Sequence, residues 1–324
     1  MNRRTMGPFR VAHSSMSDWS KDDTSTLPPS APLPGRAGPA SGPATTAVRI
    51  DVAGLSDKGK IRDENQDHFL VVRAGRYAET VTTSLPSGEI PERSEDQAIL
   101  MMVADGMGGQ AAGEVASRTV LVTLTHLILN HPAWALKVDE KSAADIQDRA
   151  VARYQALDAA LADRMQADPT LKGMGTTLTV AYSLGLDVFI AHAGDSRAYL
   201  FHAGSVRQLT RDHTYVQRLV DAGMLSSEAA AGHQLRHALT NVLGGGKRSV
   251  DVDPQWLRIT AGDRLLLCSD GLTGTMNDEE IAGILGRSAS AAESSRRLVD
   301  LALERGAPDN VTVIVARYEP SECP

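Results

Sequence analysis

Residues 101 to 109, Met-Met-Val-Ala-Asp-Gly-Met-Gly-Gly, have the pattern of a buried strand that stops at Asp105 and passes into glycines. A carboxylate on a rigid strand end suits a metal ion when glycine beside it lets the backbone turn tightly and a ligand approach closely. Taken alone, an Asp-Gly pair after a strand is far more often an ordinary turn. The same address recurs, however. Asp67 closes Arg62-Asp63-Glu64-Asn65-Gln66-Asp67, Asp270 follows Cys268-Ser269, and Asp309 precedes Asn310, each at the end of a β-type run. Asp195, in Gly194-Asp195-Ser196-Arg197, falls at an expected hairpin tip. Carboxylates launched from neighbouring strand ends converge at one sheet edge, and converging like charges are costly unless a cation neutralises them. An all-oxygen donor set favours magnesium or manganese over zinc.

These side chains need strands to launch them. β-Type runs cover Val48–Leu55, His68–Arg73 and Ala98–Ala104, and the polar stretch Ala74–Gln97, with Pro86, Gly88 and Pro91, reads as a long hairpin connection or an insertion. A helix is expected over Gln110–Asn130, where Val115, Val122 and Leu129 recur every seven residues and Leu121, Leu124 and Ile128 widen the apolar face. A second helix covers Ala143–Met165. Strands return at Leu178–Tyr182, Val188–Ala193, Arg197–His202 and Ser205–Leu209, the last three spaced for hairpins. From Asp212 to about Leu239 the chain is polar and helical. Further strands fall at Val250–Ile259 and at Arg264–Cys268, whose Leu-Leu-Leu run implies burial on both faces. Asn277 with Glu280 opens a helix, another spans Ser288–Arg305, and Val311–Tyr318 closes the domain as a central strand. Strands in hairpin-spaced groups, not each separated by a helix, make this an α+β fold with mostly antiparallel strands.

Composition narrows the function. At 324 residues the chain holds one large domain or two ordinary ones. Residues 1 to about 45 are rich in Pro, Ser, Gly, Thr and Ala and bury too little apolar surface to offset their ordering entropy, so a disordered tail is expected there. A net charge of −7 argues against a main task of coating nucleic acid or an anionic membrane. Cys268 and Cys323 form neither a disulfide framework nor a zinc spacing, which fits a reducing cytosol. No run approaches the roughly 20 apolar residues of a membrane helix, and Arg3, Arg4 and Arg10 are followed by no apolar secretory region.

In this order and at these intervals the motifs resemble the metal-dependent serine/threonine protein phosphatases of type 2C, specifically their bacterial branch, over about residues 48 to 318. The resemblance implies a β-sandwich of two antiparallel sheets flanked by helix pairs, with metals at one end, and hence a catalytic domain over residues 46–320. It also implies the site. Asp105 would bridge two Mn2+ or Mg2+ ions, the Gly106 carbonyl would bind one of them, and Asp270 and Asp309 would complete the second. Asp67 would hold metal-associated waters, Arg62 would grip the substrate phosphate, and Asp195 with Asp270 would form a weaker third metal site. The ions would make water acidic enough for in-line attack on phosphorus near neutral pH. Phosphoproteins, a Ser/Thr kinase among them, are the partners implied, and the chain is expected to act as a cytoplasmic monomer. Two other readings stay open: a phosphoprotein-binding module without turnover, and a phosphatase of small phosphoesters.

Two residues depart from the wider family pattern. Gln66 stands where many members have glutamate, removing one negative charge near the metals. Met107 stands where the eukaryotic branch has a histidine suited to general acid work; bacterial members commonly share this methionine. The leaving oxygen must then take its proton from water or another residue. Elsewhere ordinary structure suffices. Asp195 fits a hairpin turn as well as a metal site. His192, inside an apolar strand, is read as a core histidine; His213, His233 and His237, in a segment resembling the family's flap (Asp212–Gly246), as a solvated polar face; Gly244-Gly245-Gly246 as a turn; and Cys268 as a small apolar strand residue.

Overall fold

Strand alternation sorts the molecule into layers. In β3 (Arg93–Met107), Met101 and Val103 face one core while Leu100, Met102 and Ala104 face another, and all are buried. A strand covered on both faces belongs inside a layered structure. The computed structural model describes residues 48–82, 93–108, 112–130, 140–245 and 250–320. One sheet runs in the order β1 (Val48–Asp57), β11 (Val311–Pro320), β10 (Arg264–Cys268), β7 (Arg197–His202), β8 (Ser205–Gln208). The other runs β2 (Asp67–Glu79), β3, β5 (Leu178–Leu184), β6 (Asp187–Ala193), β9 (Gln255–Arg258), with β4 (Gly175–Thr176) paired to the end of β3. Every pairing among the described strands is antiparallel.

Met101, Val103, Ile190, Leu265, Leu267 and Ile314 meet between the sheets. Helices α1 (Ala112–Leu129) and α2 (Glu140–Ala167) cover the β3 sheet, and α6 (Asp278–Arg287) and α7 (Ala291–Glu304) cover the β10 sheet. Three shorter helices, α3 (Tyr215–Asp221), α4 (Ser227–Ala231) and α5 (Asp270–Thr273), lie in connections. The Leu265-Leu266-Leu267 run is buried on both faces, as its composition implies. The expected start of α6 is a complete capping box between Asn277 and Glu280. No described helix is long and apolar enough to cross a membrane.

Several expectations need correction. The β2–β3 ladder continues through the polar stretch to the pair Glu79–Arg93, because backbone pairing needs no apolar alternation once the hairpin projects beyond the core; residues 83–92 and the expected 1–45 tail lie outside the described residues. In α1, Val122 and Leu129 are about half exposed; the buried stripe runs through Ala116, Ser117, Val120, Leu121 and Leu124, of which Ala116 and Ser117 are small enough to let the start of the helix lie close to the sheet. The Val250–Ile259 strand shrinks to Gln255–Arg258, since Pro254 has no N–H to donate. Between Asp212 and Leu239 only α3 and α4 are helical. Finally, β6 and β7 do not form a hairpin: the chain crosses between sheets at Gly194, whose φ of 121° only glycine adopts readily.

Candidate active site

The crossings and strand ends place the predicted residues together. Asp67 opens β2 directly opposite Asp105 near the end of β3. Asp195 lies on the β6–β7 crossing, Asp270 follows β10, and Asp309 precedes β11. All therefore sit at one end of the sandwich, as does the 58–66 connection that carries Arg62 from one sheet to the other. Alternate pairing of antiparallel strands makes this possible, since every second strand end in a sheet falls on the same edge.

The local packing depends on glycine. A Cβ on Gly106 would run into the Gly113 carbonyl of the first turn of α1, and one on Gly113 would come within 2.6 Å of Gln66 Oε1 and 2.8 Å of the Gly106 carbonyl carbon. Helix α1 thus abuts the Asp105 turn because neither position bears a side chain. The Asp105 carbonyl accepts from Thr177 N (2.9 Å) and Thr176 Oγ1 (2.8 Å), and Gly106 N donates to the Gln66 carbonyl (3.2 Å).

The carboxylates raise one another's proton affinity. Burial, with the charges of Asp67, Asp270, Asp195 and Asp309 in support, holds Asp105 well above the usual carboxylate range. Burial likewise pushes Asp67 up to about 7, against hydrogen bonds from Ser269 and Thr312 and with the charges of Asp270 and Asp309. Asp195 rises to about 8 through burial and the charges of Asp270 and Asp212. Asp67 Oδ2 accepts from Ser269 Oγ at 2.7 Å, while Asp67 Oδ1 is buried without a hydrogen-bond partner. Arg62 Nη2 donates to Asp309 Oδ2 at 2.7 Å and is otherwise more than half exposed. Crowded, desolvated carboxylates and an orphaned buried oxygen fit a site for hard divalent cations.

One donor falls outside the all-oxygen expectation. His233 and His237 stand four residues apart, a spacing the oxygen-only reading passed over. His233 Nδ1 accepts from Leu235 N within its own turn, but His237 Nδ1 lies 3.2 Å from Asp270 Oδ2, which raises the imidazole pKa. Ligand atoms of Asp195, His237 and Asp270 all lie within 4.8 Å of one another. His237 is exposed as expected, yet it is paired with a site carboxylate. His213 is half-buried: its Nδ1 accepts from Gly194 N (3.1 Å) and lies 2.9 Å from Asn241 Nδ2. His192 is the core histidine expected, its ring bonded to Thr179 Oγ1 and the Gly194 carbonyl and its pKa lowered to about 3 by burial. Cys268 is fully buried, its thiol pushed up to about 12 by burial, and Gly244 forms a turn held by Asp158.

Sequence reasoning also missed the scaffold behind the acids. Asn310 is buried; its Oδ1 accepts from Gln66 N (2.8 Å) and its Nδ2 donates to the carbonyls of Lys58 (2.9 Å) and Glu64 (3.0 Å). It clamps both ends of the loop that carries Arg62. Asn65 Nδ2 donates to Ser56 Oγ, which contacts Thr312 Oγ1 at 2.7 Å, and Ser269 Oγ accepts from Thr312 N while it bonds Asp67. The Asp309-Asn310 dipeptide was the one available signal.

Fold and site together define a two-sheet α+β protein with a cluster of carboxylates and an exposed arginine at one end. Residues 91–305 match the family model described as Protein phosphatase 2C. The serine/threonine protein phosphatase PstP of Mycobacterium tuberculosis is 39% identical over 273 residues, which span 84% of this chain and 46% of that protein, so the chain covers less than half of its mycobacterial relative. The serine/threonine phosphatase stp of Listeria welshimeri is 33% identical over 261 residues, 80% of this chain and 92% of its own length. Among solved structures, the catalytic domain of PstP in complex with 2 manganese ions superposes with a TM-score of 0.64 at 36% identity, covering 84% of this chain and all of that one. The chain belongs to the protein phosphatase 2C family.

Proposed function

We propose that the domain over residues 46–320 hydrolyses phosphoserine and phosphothreonine in proteins with two manganese or magnesium ions, opposing a Ser/Thr kinase in the cytoplasm. The observation that carries this reading is the convergence of Asp67, Asp105, Asp195, Asp270 and Asp309 with Arg62 at one end of the sandwich. The two manganese ions of the PstP catalytic domain support the metal assignment. Asp105, the Gly106 carbonyl, Asp270 and Asp309 would hold the pair, and Asp195 with Asp270 and His237 a weaker third ion. Such ions supply acidified water and charge neutralisation at the phosphoryl group.

The chain's own groups do the rest. Asp67, fixed by Ser269, orients water through its free Oδ1. Arg62 offers N–H groups beyond the one given to Asp309, and a guanidinium fork pairs well with phosphate oxygens. Met107 is exposed and carries no transferable proton, so the leaving oxygen is protonated by water or another residue.

The test is Asp105→Ala and, separately, Asp270→Ala. Manganese-dependent hydrolysis of a phosphothreonine peptide is expected to fall by about a hundredfold or more, the scale at which losing transition-state charge stabilisation is felt. Near-normal rates in either variant would sink the reading, and faster wild-type turnover of phosphometabolites than of phosphopeptides would overturn the protein-substrate assignment.

A further inference from the structure

Well away from the acidic end, α1 and α2 do not close fully on the sheet they cover. A cleft, partly open to solvent, remains between them and β3, β5 and β6. Leu100, Val180 and Ala191 line it from the sheet and Leu124, Ile128 and Ile146 from the helices. Its polar floor is already satisfied: Tyr154 Oη sits 2.8 Å from the Ala191 carbonyl and 3.1 Å from that of Leu178, and Gln147 Nε2 reaches the Pro254 carbonyl at 3.4 Å. Leu100 lies five positions before Asp105 on β3, roughly 16 Å along the strand, so the cleft is separate from the metal end.

Two further lining residues are Arg149 and Arg153, four apart on α2 and so on one helix face. Both are partly buried, and neither makes a hydrogen bond or an ion pair among the described residues. Burial, together with Arg149, lowers the Arg153 pKa. A gap left by imperfect packing needs no cations. Two guanidiniums held one turn apart, half out of water and without an acid, repel each other and lack the acceptor that would repay their desolvation. An anion supplies what is missing, and the apolar walls require that it carry an apolar body.

We propose that this cleft binds a small amphipathic anion, a free medium-chain aliphatic carboxylate, with its chain between α1 and α2 and its carboxylate held by Arg149 and Arg153. A planar carboxylate matches the guanidinium fork, and the flexible chain follows an irregular apolar wall. The site is independent of the phosphatase reading.

Titration calorimetry on the full chain with decanoate below its micellar threshold tests this. One-site saturable binding is expected, with 1-decanol and acetate each weaker by about tenfold or more, because each lacks half of the recognised chemistry. Arg149→Gln with Arg153→Gln should weaken decanoate by about the same factor, leaving the melting temperature and phosphopeptide hydrolysis near wild type. Ala150→Trp, which fills the cleft, should abolish binding. Equal binding of decanol and decanoate, undiminished binding by the double arginine variant, or no saturable methyl shifts for Leu124, Ile128 and Ile146 in an NMR titration would each overturn the proposal.

Discussion

Replacing Asn310 by alanine should loosen the loop that carries Arg62. The Asn310 side chain is buried and makes three hydrogen bonds, from Gln66 N and to the carbonyls of Lys58 and Glu64. A typical bond contributes about 1 kcal/mol net, and a buried group left unsatisfied costs about 1–3 kcal/mol. Lys58 and Glu64 lie on an exposed connection and turn to water, whereas Gln66 N is held between β2 and α1 and does not. The sum is about 2–4 kcal/mol, or a fall of roughly 5–10 °C in melting temperature for a domain of this size. Arg62 sits between the two clamped carbonyls, so its guanidinium loses its fixed position. A displacement of about 1 Å at a substrate-positioning group costs up to about a hundredfold, and kcat/KM on a phosphothreonine peptide should fall by about ten- to a hundredfold. Asn310→Asp keeps the acceptor for Gln66 N but loses both donors and adds a carboxylate beside Asp309; it should be at least as impaired. Thermal melts and steady-state kinetics check both. An Asn310→Ala protein that melts with wild type and keeps its kcat/KM would refute the clamp.

The raised carboxylates set the pH dependence of the metal-free protein. Asp67, at about 7, Asp105, well raised, and Asp195, at about 8, keep protons in the folded state that the unfolded chain releases near 3.8. The folded state then binds more protons, so stability should fall as pH rises from about 4 to about 8; melts of chelator-treated protein that rise across this window would contradict it. Manganese should restore the loss at the alkaline end and release protons on binding, measurable by calorimetry in two buffers. Gly113→Ala should cost about 1–3 kcal/mol in urea unfolding, since its Cβ meets Gly106 backbone that has little room to move; an unchanged midpoint would show that α1 yields freely. His237→Gln should raise the manganese concentration for half-maximal activity by about severalfold while leaving the melt unchanged, because the imidazole touches Asp270 from an exposed flap; an unaltered metal titration would remove His237 from the site.

Much of this protein is local and therefore visible in its sequence. Strands β3, β10 and β11 announce themselves because burial on two faces forces continuous apolar runs, and the start of α6 because a capping box needs only residues three apart. Asp67, Asp105, Asp270 and Asp309 were legible because each follows or precedes such a strand beside glycine or asparagine. Asp195 was visible as a turn, but only the two-sheet topology makes that turn a crossing into the site. His237 and Asn310 had no comparable signal. One reaches Asp270 across 33 residues of flap and sheet, the other clamps a loop more than 240 residues upstream, and no local spacing encodes such contacts. The pairing of Arg149 and Arg153 was open to inspection as a helical repeat, yet that no described residue forms an ion pair with them was settled by packing. Chemistry-bearing residue types at strand ends are written in the chain; which of those ends meet, and what holds them apart or together, follows from sheet order and burial in three dimensions.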